Sequence, residues 1–147
     1  MNKTAIKNFA IWARNKLIAE IQYKAGLLGI IDKEIKNPLP QSTHAVQFFD
    51  IGTKEPYSIT GVEILQRRKL AEEIRHKADS SDYPTAYKSV IEEVAYTWFN
   101  RLIAVRFMEV NDYLPTRIRV LSSESAGKTE PELVTHAQDA DLNYTPY

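Results

Sequence analysis

The stretch "LQRRKLAEEIRHK" gathers Arg67, Arg68, Lys69, Arg75 and Lys77 on one predicted helix, interleaved with Glu72 and Glu73. Guanidinium and ammonium groups clustered in this way can neutralise phosphates, which is the source of non-specific DNA affinity. The same spacings of three and four also suit intrahelical ion pairs on a solvated face, and the interleaved acids favour that plainer reading. If the chain touches DNA, the residues expected to do so are Arg67, Arg68 and Lys69, with Lys7 and Lys16 from the first predicted helix.

A second polar group sits in the most apolar stretch of the chain. Arg106 and Glu109 both fall inside the apolar arc of a long predicted helix, where an unpaired charge is costly. Three residues apart, they can pair with each other. The other role open to them is contact with a neighbouring domain. Asn100 and Arg101 fall on the polar strip of the same helix and need no special role.

Recognised catalytic patterns are missing. Gly127-Lys128-Thr129 ends like a phosphate loop, but Ser122 stands where that motif needs its first glycine, so a polar loop leading to a helix cap is the better reading. His44, His76 and His136 have no second histidine or cysteine at ligand spacing, and read as surface or packing residues. There is no GxSxG, HExxH or GxGxxG. The closing "NYTPY" approaches an Asn-Pro-Pro-Tyr loop, but an extra residue and a threonine spoil the turn. No catalytic, cofactor-binding or metal-binding residue is assigned.

The elements that position these residues follow from periodicity and punctuation. From Lys3 to about Leu28, the apolar residues Ile6, Phe9, Ala10, Ala13, Leu17, Ile21 and Leu28 recur three or four apart, which predicts an amphipathic helix with one buried stripe, capped by Asn2 or Thr4. Pro38, Pro40, Gly52 and Pro56 then break regular structure and leave room for one short extended piece, "AVQFFDI". Thr60 and Glu63 predict a capping box opening a helix to about Ala78, and Asp79 to Asp82 ends it. A third helix, from Pro84 to Val110, spans about 40 Å at 1.5 Å per residue. It is apolar over more than half its circumference, with Trp98 in the core.

Beyond it, "TRIRVL" alternates like a strand and needs a partner, either "AVQFFDI" or sequence outside this chain. Thr129 and Glu132 predict a last short helix that fades by Asp139. The expected fold is mostly α, a helical domain over residues 1–147 built around the long central helix, with a possible small two-stranded β element.

At 147 residues the chain is long enough for one domain with a real core. Its 19 basic residues equal its 19 acidic ones, which removes a global electrostatic case for nucleic-acid or membrane binding. Charge is uneven all the same: residues 1–36 hold seven Lys/Arg against three Asp/Glu, and residues 111–147 hold three against six. The absence of cysteine excludes disulfides and thiolate chemistry and suits a reducing cytosol. No signal peptide or membrane span is legible, so a cytoplasmic protein is expected.

Three separated segments carry a resemblance: "MNKTAIKNFAIWARNKLI", "PLPQSTHAVQFFDIG" and "IEEVAYTWFNRLIAVRFMEVNDYLPTRIRVLSS". In order, they resemble the N-terminal region of the BREX phage-defence adenine-specific DNA methyltransferases. Large restriction-modification methyltransferases share the shorter W-F-N-R-L-x-A-x-R-F-M-E pattern more loosely. The resemblance implies a parent enzyme that methylates adenine N6 in host DNA with S-adenosylmethionine, and that is several times longer than this chain. It implies that the glycine loop and the Asn-Pro-Pro-Tyr motif lie elsewhere in that parent. This chain is then expected to be a non-catalytic, excised N-terminal domain with no cofactor of its own, supporting the catalytic domain or helping to grasp DNA. The alternative is an interaction module that docks other BREX proteins or a phage inhibitor.

Overall fold

The computed structural model describes residues 2–136. In chain order its elements are α1 (Lys3–Leu27), β1 (Val46–Phe49), β2 (Tyr57–Thr60), α2 (Val62–Ala78), α3 (Tyr83–Val110) and α4 (Glu132–Thr135). The fold is mostly helical, with one long helix and a two-stranded antiparallel sheet. Two compact units divide within α3, between Thr97 and Trp98.

In the first unit, α1 starts where Asn2 Oδ1 accepts the free N–H of Ala5 at 3.1 Å. It ends at Gly29, whose φ of +71° turns the chain left-handed. That turn lets the Ile30 N–H reach Ala25 O at 2.9 Å and the Gly29 N–H reach Gly26 O at 3.0 Å, which satisfies two carbonyls of the last turn. The stripe predicted for α1 is buried only in part. Ala13 and Ala25 are buried and Ile18 and Ile21 pack on the core, whereas Ile6, Phe9, Ile11 and Trp12 are exposed. Periodicity marks a face capable of burial, and no element of this unit covers the first turns.

β1 and β2 form a hairpin with Val46 opposite Thr60 and Phe49 opposite Tyr57. This corrects the expected pairing, since the partner of "AVQFFDI" is "YSIT" and "TRIRVL" is not a strand. A partner a short loop away closes at a smaller entropic cost than one some seventy residues on, by about (3/2)RT times the logarithm of the length ratio. Gln47, Phe49 and Ile59 share the inner face, and Phe49 and Ile59 are fully buried.

α2 begins at Gly61 with no side-chain cap, because Thr60 belongs to β2. Half of the predicted capping box survives, the Glu63 carboxylate accepting the Thr60 N–H at 3.3 Å. α3 begins where the Asp82 carboxylate accepts the Thr85 N–H and hydroxyl, at 3.1 and 2.6 Å. The core of this unit joins Ala25, Ile30, Ala71, Ile74, Ala86, Tyr87, Val90 and Ile91. Tyr83 at its edge donates its hydroxyl to Ile31 O at 2.7 Å. Burial raises the Tyr83 phenol to about 12, with the nearby Tyr87, Asp32 and Glu34 acting in the same direction.

In the second unit, the end of α3 carries a long loop and the four-residue α4. The predicted strand fails at Arg117, whose φ of +53° is left-handed. From there the backbone bonds to carboxylates rather than to a ladder. The Leu121 N–H donates to Glu109, the Arg119 N–H donates to Glu132 at 3.3 Å, and the Glu124 N–H donates to Glu132 at 2.9 Å. Glu132 therefore does not complete a capping box with Thr129, and α4 starts after Pro131 without a side-chain cap. Trp98, expected in the core, is 48% exposed, with the Arg101 guanidinium 5.8 Å from its ring. The expected end of the last helix at Asp139 and the closing "NYTPY" lie outside the described residues. No helix among the described residues is long and apolar enough to cross a membrane.

Candidate functional site

The basic residues of α2 are separated in space by their neighbours in sequence. At about 100° per residue, Arg67, Arg68 and Lys69 point in three directions. Arg67 turns inward: Nε donates to Leu28 O at 2.7 Å and Nη2 to Lys36 O at 2.6 Å, with the guanidinium 4.3 Å from the Phe49 ring centroid. One side chain thus fastens the end of α1 and the loop after it onto α2 and the hairpin. Arg68 and Lys69 are exposed.

On α1, Lys7 is exposed, and Lys16 pairs with Glu20 at 2.9 Å. Nine residues apart, Lys7 and Lys16 lie on opposite sides of their helix. The five candidate residues therefore do not share one surface.

The structure instead assembles a different group. A cleft of about 870 Å³ runs between the hairpin and α2, lined by His44, Gln47, Arg67, Arg68, Ala71 and Arg75 among others, with no carboxylate in its wall. Arg68 and Arg75 are seven residues apart, two turns along one face. Neither makes an ion pair among the described residues, although Glu72 stands one turn from each on the same helix. Lys77, by contrast, is paired with Glu93 and donates to Ser89 Oγ at 3.4 Å.

Gln47 Oε1 is buried without a hydrogen-bond partner among the described residues. Arg67 is held below its ordinary pKa, first by burial and then by the positive charge of Arg75. Arg75 belonged to the basic stretch legible in the sequence but not to the expected contacts. Its spacing of seven from Arg68 was the available signal. Gln47 comes from β1 and His44 from the loop just before it, and neither carried a signal.

Arg106 and Glu109 form the pair that their spacing allows. Arg106 Nη1 lies 3.0 Å from Glu109 Oε2 and 2.7 Å from Ser122 Oγ. The Glu109 side chain is 0% exposed and that of Arg106 48%, so the acid is buried and the base is not. Burial pushes the Glu109 carboxyl up, but the Leu121 N–H and Arg106 together outweigh it and hold the group below its usual value. Among the described residues, no group of three His, Asp or Glu side chains could hold a metal ion.

The chain is 46% identical over 137 residues to the adenine-specific methyltransferase PglX of Lacticaseibacillus casei (strain Zhang), covering 93% of this chain and 11% of that protein. It is 30% identical over 123 residues to the adenine-specific methyltransferase BrxX of Escherichia coli O9:H4 (strain HS), covering 83% of this chain and 9% of that one. No family model matches the chain, and no solved structure matches it. With nearly its whole length aligned to PglX at this identity, the chain belongs to the PglX-type adenine-specific methyltransferases of BREX systems, corresponding to a small part of their length.

Proposed function

We propose that this chain is a non-catalytic N-terminal helical domain of a cytoplasmic, S-adenosylmethionine-dependent N6-adenine DNA methyltransferase of BREX phage defence, and that it supports the catalytic part by packing against it. The observation that carries this reading is apolar surface left open on the helices. Ile6, Phe9, Ile11 and Trp12 at the start of α1 are 47–62% exposed. In the second unit Ile103, Phe107 and Val110, at spacings of four and three along α3, are 46%, 60% and 57% exposed. Apolar side chains grouped along helix faces are characteristic of surfaces that another segment covers. The relatives are far longer than this chain, and the remainder of such a protein is the natural covering. Arg106, half exposed while bound to Glu109, is the member of that pair within reach of a neighbouring domain.

Mixing the purified chain with the remainder of its parent tests the reading. A stable complex with little salt dependence is expected, weakened about tenfold or more by Phe9→Asp with Trp12→Asp, as for apolar anchor residues. No complex with the remainder, together with a salt-insensitive complex with another BREX protein or a phage inhibitor, would assign the chain to interaction with those partners instead. Calorimetric titration of the chain alone with S-adenosylmethionine is expected to show no binding, and stoichiometric micromolar binding would overturn the non-catalytic role.

A further inference from the structure

We infer that the cleft between the β1–β2 hairpin and α2 is a binding site for the phosphodiester backbone of DNA, with Arg68 and Arg75 as its two phosphate contacts and His44 and Gln47 as the opposing polar wall. The inference deepens the proposed function, resting on the parent being a DNA methyltransferase, but it does not depend on how the chain docks to the rest of that enzyme.

The first argument is charge without compensation. Three guanidinium groups, of Arg67, Arg68 and Arg75, line one cleft whose wall holds no carboxylate, in a chain that is neutral overall. Among the described residues, Arg14, Lys16, Lys77, Arg106 and Arg119 each have an acidic partner. Arg68 and Arg75 have none among the described residues, even though Glu72 is close enough in sequence to supply one. Arg67 is partly desolvated and feels the charge of Arg75. An anion entering the cleft would relieve that repulsion.

The second argument is spacing. Seven residues of helix set the backbones of Arg68 and Arg75 about 10 Å apart along the axis, on one face, so that two cationic head groups are offered in a row. A polymer with a regularly repeated phosphate matches such a row, one phosphate to each arginine. Arginine suits that task because its planar fork meets two phosphate oxygens at once.

The third argument is polarity on the far wall. Gln47 lines the cleft from β1, and its Oε1 lacks a partner. Leaving a buried carbonyl unpaired is costly. The N–H₂ end of its carboxamide can donate to a phosphate or sugar oxygen. Arg67 holds the cleft open as a positioning residue, because its Nε and Nη2 are committed to Leu28 O and Lys36 O. Lys69 lies off the cleft.

The test is fluorescence anisotropy of the 147-residue chain with a labelled 20-base-pair duplex over a salt series. Two phosphate contacts predict a logarithmic salt slope of about −2. R68E/R75E is expected to lose affinity by about tenfold or more and to flatten the slope by nearly two, whereas K69E should change affinity less than about twofold. The neutral pair R68Q/R75Q, checked by circular dichroism, separates loss of contact from loss of fold and is expected to fall between. No binding at low salt, an unchanged R68E/R75E, or equal losses in K69E and R68E/R75E would overturn the site. Polyglutamate competing as well as unlabelled DNA would overturn it too, assigning the cleft to an acidic protein. Failure here with an intact complex with the rest of the methyltransferase removes only the DNA site, and DNA binding without that complex removes only the docking role.

Discussion

Glu109 on α3 accepts a hydrogen bond from the backbone N–H of Leu121, twelve residues further along, while its second oxygen holds Arg106. A single buried carboxylate thus anchors the loop that follows the long helix. Removing it strands a backbone donor, whereas removing the half-exposed Arg106 leaves the carboxylate with Leu121 and Ser122. Equilibrium unfolding is expected to show a loss of about 3 kcal/mol for Glu109→Ala and under about 1 kcal/mol for Arg106→Ala. Equal losses for the two single changes would contradict this asymmetry.

The same carboxyl sets an acid limit. Its folded pKa lies below the ordinary carboxylate value, so the unfolded chain binds the proton first as pH falls. The stabilisation is complete above that ordinary value and is lost as pH drops through the lower folded one. The protection of the Leu121 amide against hydrogen exchange, relative to an unstructured amide at the same pH, should fall over that window in the wild type, and Glu109→Gln should remove the dependence.

At the alkaline end Tyr83 acts with the opposite sign. Its phenol is raised to about 12 in the fold, so above about 10 the unfolded chain gives up a proton that the folded chain retains. Stability is complete below the ordinary phenol value and declines as pH rises toward the folded one. Tyr83→Phe should cost about 1 kcal/mol at neutral pH, from the lost bond to Ile31 O, and should flatten the alkaline decline. An unchanged decline would move the effect to another group.

Arg67 and Arg68 are adjacent in sequence and opposite in use. Arg67→Met removes two charge-assisted bonds to backbone carbonyls and should destabilise by about 2–4 kcal/mol, while Arg68→Met should change stability by less than about 0.5 kcal/mol. Thermal unfolding of the two variants distinguishes a structural arginine from one available to a ligand.

Gly29 and Gly26 make a further contrast. A Cβ at Gly29 would lie 2.7 Å from Phe49 Cδ1, on a backbone with φ of +71°, and Gly29→Ala should cost about 2 kcal/mol or more. Nothing lies within 4 Å of a Cβ at Gly26, inside α1, so Gly26→Ala should stabilise by about 0.5–1 kcal/mol. Equal effects on the unfolding midpoint would argue against the left-handed cap.

What the sequence alone determined about this chain is what local free energies decide. A cap at Asn2 or Thr4, the break at Asp79 to Asp82 and the end of the long helix at Val110 each depend on a few neighbouring residues, and each is in place, the cap being Asn2. The pairing of Arg106 with Glu109 was legible for the same reason, since three residues of helix bring the groups together whatever lies around them. The family was legible because ordered segments identify a relative without reference to geometry.

Tertiary structure decided whatever depends on residues distant in the chain. "TRIRVL" alternates correctly for a strand, yet Glu109 and Glu132 capture its amides, and no periodicity records a competing carboxylate. Trp98 and Phe9 have the hydrophobicity of core residues, but burial requires a partner surface and these described residues provide none there. Arg67 and Arg75 looked alike on one helix until Leu28, Lys36 and Phe49 claimed the first and the hairpin set the second in a cleft. Propensity specifies which faces a segment can offer, and only packing specifies what each face meets.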